Sequence, residues 1–120
     1  MGNKICTSLE QSKKLIELGV DRKTSDMYYW CGASLRIGGY RAQEEDLDIP
    51  AWSLSALLEL MPNKIVVNDE NYFLNFTKKT VEYRGIVTWD GQKCISREAE
   101  NLLDAAFEMV CWILKIRNYD

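Results

Sequence analysis

Apolar residues recur at helical spacing in three separate parts of this chain. In the first part, Thr7 and Glu10 match the Ser/Thr-x-x-Glu capping box, so we expect a helix to begin there. Gly19 can adopt the left-handed backbone conformation that ends the helix, and Val20 is placed to contact Leu15 in a Schellman motif. The apolar stripe of this helix is narrow, which predicts a helix on the surface of the core.

The second helical segment lies between the two prolines of the chain, Pro50 and Pro62. Ser53 is a good N-cap residue, and Trp52 before it is placed to pack on Leu57 as a hydrophobic staple. Pro62 prevents the helix from continuing. The segment therefore predicts one short helix that packs into the hydrophobic core.

The third helical segment reaches the end of the sequence. Ser96 is its predicted N-cap, and Lys115 and Arg117 near its end complement the helix dipole. Its second half is apolar on nearly all sides, so it needs packing partners on two sides. One partner is the sheet, and the other is the first helix or a second subunit. A homodimer that buries Trp112 or Tyr119 is therefore one hypothesis.

Branched and aromatic residues alternate with polar ones in the region between the second and third helices. The turn residues predict an antiparallel meander that a tight turn at Asp90-Gly91 closes. An aromatic run at Met27–Cys31 predicts a further strand at a sheet edge. The predicted meander strands cover residues 65–67, 72–77 and 81–89.

The stretch from Gly32 to Asp48 carries weaker signals. Glycines interrupt any strand through Leu35 and Ile37, and the stretch ends in a run of acidic residues. We expect an extended, mobile loop here. Together these patterns predict a single domain over residues 1–120. Its class is α+β, with an antiparallel sheet of three to four strands packed by a long C-terminal helix and two shorter helices.

Composition narrows the possible functions. The net charge of -3 argues against tight, sequence-independent binding of nucleic acid. The absence of histidine excludes Ser-His and Cys-His nucleophile pairs, and no phosphate-binding or dinucleotide-binding glycine motif is present. We therefore expect no cofactor and no catalytic residues. No apolar stretch is long enough to span a membrane, which favours a cytoplasmic protein.

The four cysteines are scattered and include no Cys-x-x-Cys pair. We expect them to be reduced and partly buried thiols, and no metal site is predicted from them. The acidic stretch, together with Asp26, leaves a metal-dependent nuclease as one alternative, because Mg²⁺ binds carboxylates and retained waters.

Two further groups of residues are candidates for binding. An aromatic run and an acidic stretch are typical of contacts with a protein partner. A basic turn beside Tyr72, Phe73 and Tyr83 offers an alternative, a sheet face that binds single-stranded nucleic acid by stacking. The candidates for partner binding are Tyr28, Tyr29, Trp30, Glu44, Glu45 and Asp46, and those for nucleic acid are Lys78, Lys79 and Arg84.

Three blocks of the sequence, Cys6–Gly19, Ile49–Pro62 and Ala105–Leu114, together resemble a group of small uncharacterised proteins. Prophages and mobile elements of Bacteroides-type gut bacteria encode these proteins. The resemblance implies a bacterial cytoplasmic setting and a phage or mobile-element context. It implies no activity and no site residues. Because the sequence contains no recognisable set of catalytic residues, we expect a non-catalytic accessory or protein-interaction protein.

Overall fold

The structure, a computed structural model, describes residues 5–39, 43, 47–89 and 91–118. Within these residues the chain forms α-helices and antiparallel strands, which confirms the predicted α+β class. The helices are α1 (Leu9–Glu17), α2 (Leu54–Leu60) and α3 (Leu102–Asn118). The strands are β1 (Met27–Trp30), β2 (Ser34–Ile37), β3 (Ile49–Ala51), β4 (Lys64–Val67), β5 (Glu70–Phe76), β6 (Thr80–Thr88) and β7 (Gly91–Glu98).

The described strands form two antiparallel sheets. The smaller sheet has the order β2-β1-β3, and the larger sheet has the order β4-β5-β6-β7. Helix α3 packs on β6 and β7 and also contacts α2, whereas α1 contacts β3. The main core lies between α3 and one face of the larger sheet. Its largest fully buried members include Trp52, Leu57, Val81, Tyr83 and Met109.

The N-terminus of α1 differs by one residue from the prediction. Ser8, not Thr7, is the N-cap: its hydroxyl accepts a hydrogen bond from the Gln11 amide, and the Gln11 side chain accepts one from the Ser8 amide. The predicted pair of Thr7 with Glu10 is therefore wrong. Thr7 is buried, and its hydroxyl oxygen accepts a hydrogen bond from the amide of Trp52 at 3.1 Å.

The C-terminus of α1 confirms the predicted Schellman motif. Gly19 has a φ of 97°, a conformation that a side chain disfavours. The amide of Val20 donates to the carbonyl of Leu15, and the amide of Gly19 donates to that of Ile16, each at 3.0 Å. Both bonds supply donors to carbonyls of the last helical turn that would otherwise have no hydrogen-bond partner.

The segment between the prolines also folds as predicted in its helical part. The Ser53 hydroxyl accepts from the amide of Ala56 and caps α2, which ends two residues before Pro62. Trp52 and Leu57 are both fully buried in the same core, as the staple requires. Pro50 lies in β3 at the edge of the smaller sheet, where a missing amide donor is tolerated.

Two predictions about the smaller sheet are wrong. Strand β1 lies at the centre of the sheet and not at its edge, because β2 pairs with one side of it and β3 with the other. Residues 34–37 form β2, although a loop was expected there. Leu35 pairs with Tyr29, and Ile37 pairs with Met27. The glycines flank this strand and do not interrupt it.

The larger sheet contains the three predicted strands and one more. Asn68 and Asp69 both have positive φ, which suits the tight turn between β4 and β5. The additional strand is β7, in which Ser96 pairs with Glu82. The prediction of Ser96 as a helix cap is therefore wrong. Asn101 takes that place, since its side-chain oxygen accepts from the amide of Asp104 at 2.8 Å.

Candidate protein-interaction surface

The two faces of the larger sheet have different surroundings. The inner face carries Ile65, Tyr72, Val81 and Tyr83, which are buried in the same cluster as the apolar residues of α3. Side chains of neighbouring residues in a strand point to opposite faces, so the residues between these belong to the outer face. One cross-strand row on the outer face runs through all four strands and consists of Lys64, Phe73, Arg84 and Cys94.

Large apolar side chains remain exposed on this outer face. Phe73 is 54% exposed, and Val66, one row nearer the end of the β6–β7 hairpin, is 59% exposed. The helices that contact the larger sheet pack on its inner face. In the described part of the chain, the apolar residues of the outer face therefore lack a packing partner.

The hairpin between β6 and β7 carries the most exposed apolar residues of this region. Ile86 is 67%, Val87 is 70% and Trp89 is 98% exposed. We call these three residues the hairpin tip. Val87 pairs with Gln92, which shares a face with Cys94, so Val87 continues the outer face toward the end of the hairpin. Val66, Phe73 and the hairpin tip together form the candidate interaction surface.

The direction of the hairpin depends on a register shift that follows Arg84. Such a bulge increases the local twist and turns the strand end relative to the rest of the sheet. Gly85 lies in the shift, and a β-carbon there would be 3.0 Å from the ring of Tyr72 and 3.2 Å from the carbonyl of Lys93. The Gln92 side-chain amide donates to the carbonyl of Gly85 at 2.9 Å. A glycine and a glutamine therefore hold the tip in place.

The sequence-predicted aromatic run does not form one exposed patch. Tyr28 is buried at 9% exposure, and Tyr29 is half-buried and donates from its hydroxyl to the carbonyl of Thr7 at 2.8 Å. Trp30 is exposed, and the guanidinium of Arg36 lies 4.6 Å from the centre of its ring. Only Trp30 of the three therefore presents its ring to solvent.

Tyr29 has a strongly perturbed acidity. Burial of the phenol, and then its contact with the Cys6 sulfur at 3.8 Å, raise the pKa of Tyr29 to about 12. The unfolded chain has the ordinary tyrosine pKa of about 10. Between about pH 10 and pH 12 the folded protein therefore retains a proton that the unfolded chain has lost.

This difference predicts a pH dependence of stability. The stabilisation by neutral Tyr29 is complete below about pH 10 and is lost as the pH rises toward 12. After allowance for the partial exposure of the ring, we expect a loss of about 1–2 kcal/mol. Urea unfolding at pH 9 and pH 11.5 checks this, with Tyr29→Phe as the comparison. An equal decline in the wild type and in the variant would contradict the assignment to Tyr29.

The acidic candidates Glu44, Glu45 and Asp46 lie outside the described residues. Their described neighbour Asp48 is buried, and its carboxylate accepts a hydrogen bond from the amide of Cys31 at 2.8 Å. The carboxylate of Asp26 accepts from both the amide and the hydroxyl of Ser53. Asp26 and Asp48 therefore hold backbone in place. Among the described residues, no group of three or more histidine, cysteine or acidic side chains is arranged to hold a metal ion.

The basic candidates do not gather at one point. Lys78 and Lys79 lie in the turn before β6, whereas Arg84 lies five residues beyond Lys79, roughly 17 Å along the strand. The Arg84 guanidinium pairs with the carboxylate of Glu82 at 2.5 Å. Hydrogen bonds from Asn75 and Arg84 lower the pKa of Glu82 and keep it charged.

Only one of the three aromatic residues near these cations lies on the exposed face. Tyr72 and Tyr83 are buried on the inner face, and the Tyr83 hydroxyl donates to the carbonyl of Pro62 at 2.8 Å. Phe73 lies on the outer face between Lys64 and Arg84. Of the three aromatic residues in the nucleic-acid hypothesis, Phe73 is therefore the one with an exposed ring. The hypothesis stays a prediction.

The geometry of the surface by itself assigns the chain to no family. No protein-family model, curated protein or solved structure matches this chain. The candidate surface therefore rests on the chemistry of its own residues. The helices in the described part of the chain lack the length and apolar character needed to cross a membrane.

The cysteines are partly buried, as the sequence predicts. They are not joined to one another by disulfide bonds; Cys6 and Cys111 are buried, and Cys31 and Cys94 are exposed. Cys94 ends the outer-face row beside Arg84.

Sequence reasoning missed the hairpin tip. It placed Ile86, Val87 and Trp89 in a strand, and an apolar strand is expected to contribute to a core. The Asp90-Gly91 turn was a usable signal, because a hairpin there requires a further strand after Gly91. Recognising β7 would have placed Trp89 at the end of a hairpin.

Proposed function

We propose that this protein is a non-catalytic accessory protein of a bacterial prophage or mobile element. It acts in the cytoplasm by binding another protein through the candidate interaction surface. The observation that carries this proposal is the hairpin tip, where three large apolar side chains are each at least 67% exposed. Contiguous exposed apolar surface on a folded domain is typical of a site that binds a partner.

The composition of the surface supports a protein partner. Tryptophan is enriched among the residues that contribute most to binding energy, and Trp89 is 98% exposed at the end of the hairpin. The polar residues of the outer-face row, Lys64 and Arg84, lie on either side of Phe73, as in the polar rim of an interface. Phe73 and Val66 extend the apolar area across the sheet.

The surroundings of the described polar residues support a non-catalytic role. Asp26 and Asp48 accept hydrogen bonds from backbone amides, and Glu82 and Glu70 form ion pairs with Arg84 and Lys93. Catalytic acids and bases usually lie in a cleft beside their reacting partners. These carboxylates instead stabilise loops and strands.

Affinity purification from a Bacteroides-type host tests the proposal. The tagged wild type should retain one protein in constant ratio after nuclease treatment of the lysate, and Ile86→Ser should lose it. Ile37→Ser is the matched control, since Ile37 is a strand isoleucine on the other sheet that is even more exposed, at 87% against 67% for Ile86. Retention by all three forms, or capture that depends on nucleic acid, would contradict the proposal.

A further inference from the structure

A groove lies on the inner side of the sheet, separate from the candidate interaction surface. Its lining comes from three elements: Lys14 of α1, Arg97 of β7, and one strip of α3. Its volume is about 450 Å³, within the range of sites that bind small ligands or short peptides. The α3 residues in the strip are Phe107, Glu108, Cys111, Trp112 and Lys115.

The floor of the groove is apolar. Phe107 and Trp112 are half-buried, and Cys111 is buried at 8% exposure between them. Burial raises the pKa of the Cys111 thiol, so it is neutral at physiological pH. Such a floor favours an apolar side chain of a ligand over a purely ionic one.

The rim of the groove is mainly cationic. Lys14, Arg97 and Lys115 line it, against the single carboxylate of Glu108. Lys14 and Lys115 line the same groove as Cys111, and their charges oppose the effect of burial on the pKa of the Cys111 thiol. Among the described residues, none of the three cations forms an ion pair with a carboxylate.

The length of the groove limits its ligand. The strip from Phe107 to Lys115 covers eight residue steps of helix, roughly 12 Å. An extended peptide of about four residues spans that distance. A nucleic-acid strand would instead require a basic track that continues past the groove.

We propose that this groove binds a short acidic peptide segment of a second protein, with a leucine or aromatic side chain on the floor and carboxylates at Lys14, Arg97 and Lys115. The peptide lies along α3 between α1 and the end of β7. The hairpin tip is at the other end of β7, roughly 20 Å away, so the two surfaces can be occupied together. The proposal does not depend on the function of the hairpin tip.

Selection from a random peptide library displayed on phage tests the proposal, since it requires no identified partner. The full chain is the target. Enriched peptides should carry at least two acidic residues beside a leucine or an aromatic residue. A synthetic form of the most enriched peptide, labelled with fluorescein, then gives dissociation constants by anisotropy. Affinity should fall as salt concentration rises, because exposed charges are screened.

Variants locate the binding site. Lys14→Glu with Lys115→Glu should weaken the peptide at least tenfold, and the milder Lys14→Gln with Lys115→Gln should weaken it less. Lys13→Glu with Lys23→Glu is the matched control, because it makes the same change of charge at exposed lysines outside the groove lining and should change affinity less than twofold. Circular dichroism should show that every variant remains folded.

Other results would overturn the proposal. These are enriched peptides without acidic residues, unchanged affinity in the Lys14 and Lys115 variants, or loss of binding in Trp89→Ala. Full competition by millimolar phosphate or acetate would make the groove a simple anion site. A dimer by light scattering that the Lys14 and Lys115 variants abolish would make a second copy its occupant.

Discussion

Replacing Trp52 with alanine should lower the free energy of unfolding by about 3–5 kcal/mol. Trp52 is fully buried in the main core, and its indole N–H donates to the Thr24 hydroxyl at 2.9 Å. Its backbone amide also donates to Thr7 and connects the start of α2 to the segment before α1. Alanine would leave a cavity in the core and remove the indole donor to the Thr24 hydroxyl, which would keep its bond to the carbonyl of Asp21.

The measurement is urea unfolding followed by circular dichroism. Small domains are stable by about 5–15 kcal/mol, so the expected loss is a large fraction of the total. Trp89→Ala is the matched control, because the same truncation at a residue 98% exposed should change stability by less than about 0.5 kcal/mol. A loss below about 1 kcal/mol at Trp52 would show that its burial contributes little to the fold.

Replacing Trp89 with alanine should weaken binding of the protein captured from the host by about 2 kcal/mol or more, close to thirtyfold. Trp89 is the most exposed of the large apolar residues described, and it stands beside Ile86 and Val87. A tryptophan that becomes desolvated against a partner contributes more than its neighbours. Most of the change should appear as faster dissociation.

Isothermal titration calorimetry with the purified partner measures this effect. Trp30→Ala is the control, because Trp30 is also exposed but lies on the smaller sheet with Arg36 over its ring. We expect its affinity to stay within about twofold of the wild type. Equal losses for the two variants would place the partner on the smaller sheet as well, and no loss at Trp89 would remove the hairpin tip from the interface.

Elements with local signals were predictable from the sequence. Gly19 and Val20 end α1 as expected, and Ser53 begins α2, because caps involve residues only a few positions apart. The one-residue error at Thr7 has a physical cause. Thr7 and Ser8 both have hydroxyls, and only tertiary contacts with Ser12 and Trp52 decide which of them caps the helix.

Strands β2 and β7 were missed because their stability comes from pairing. Leu35 and Ile37 are exposed in β2, so no buried face imposes an alternating pattern on that strand. In β7 only Ile95 and Cys94 are apolar, and the strand forms because β6 supplies its hydrogen bonds. Edge strands of this kind carry little signal in a single sequence.

Neither binding surface was predictable in full. The strand character of Ile86 and Trp89 is visible in the sequence, but their exposure depends on β6 extending past the core after the bulge at Gly85. The groove joins Lys14 to Arg97, which are 83 positions apart in the sequence. Charges that distant along the chain are brought together only by the packing of α1, α3 and β7.

Photo-crosslinking at position 89 tests the central claim, that the hairpin tip binds a protein partner. Benzoylphenylalanine would replace Trp89 in the full chain, expressed in a Bacteroides-type host, and would replace the exposed Lys13 of α1 in a control. We predict one cross-linked protein from position 89 and none from position 13. The absence of a product from position 89, or the same products from both positions, would contradict the claim.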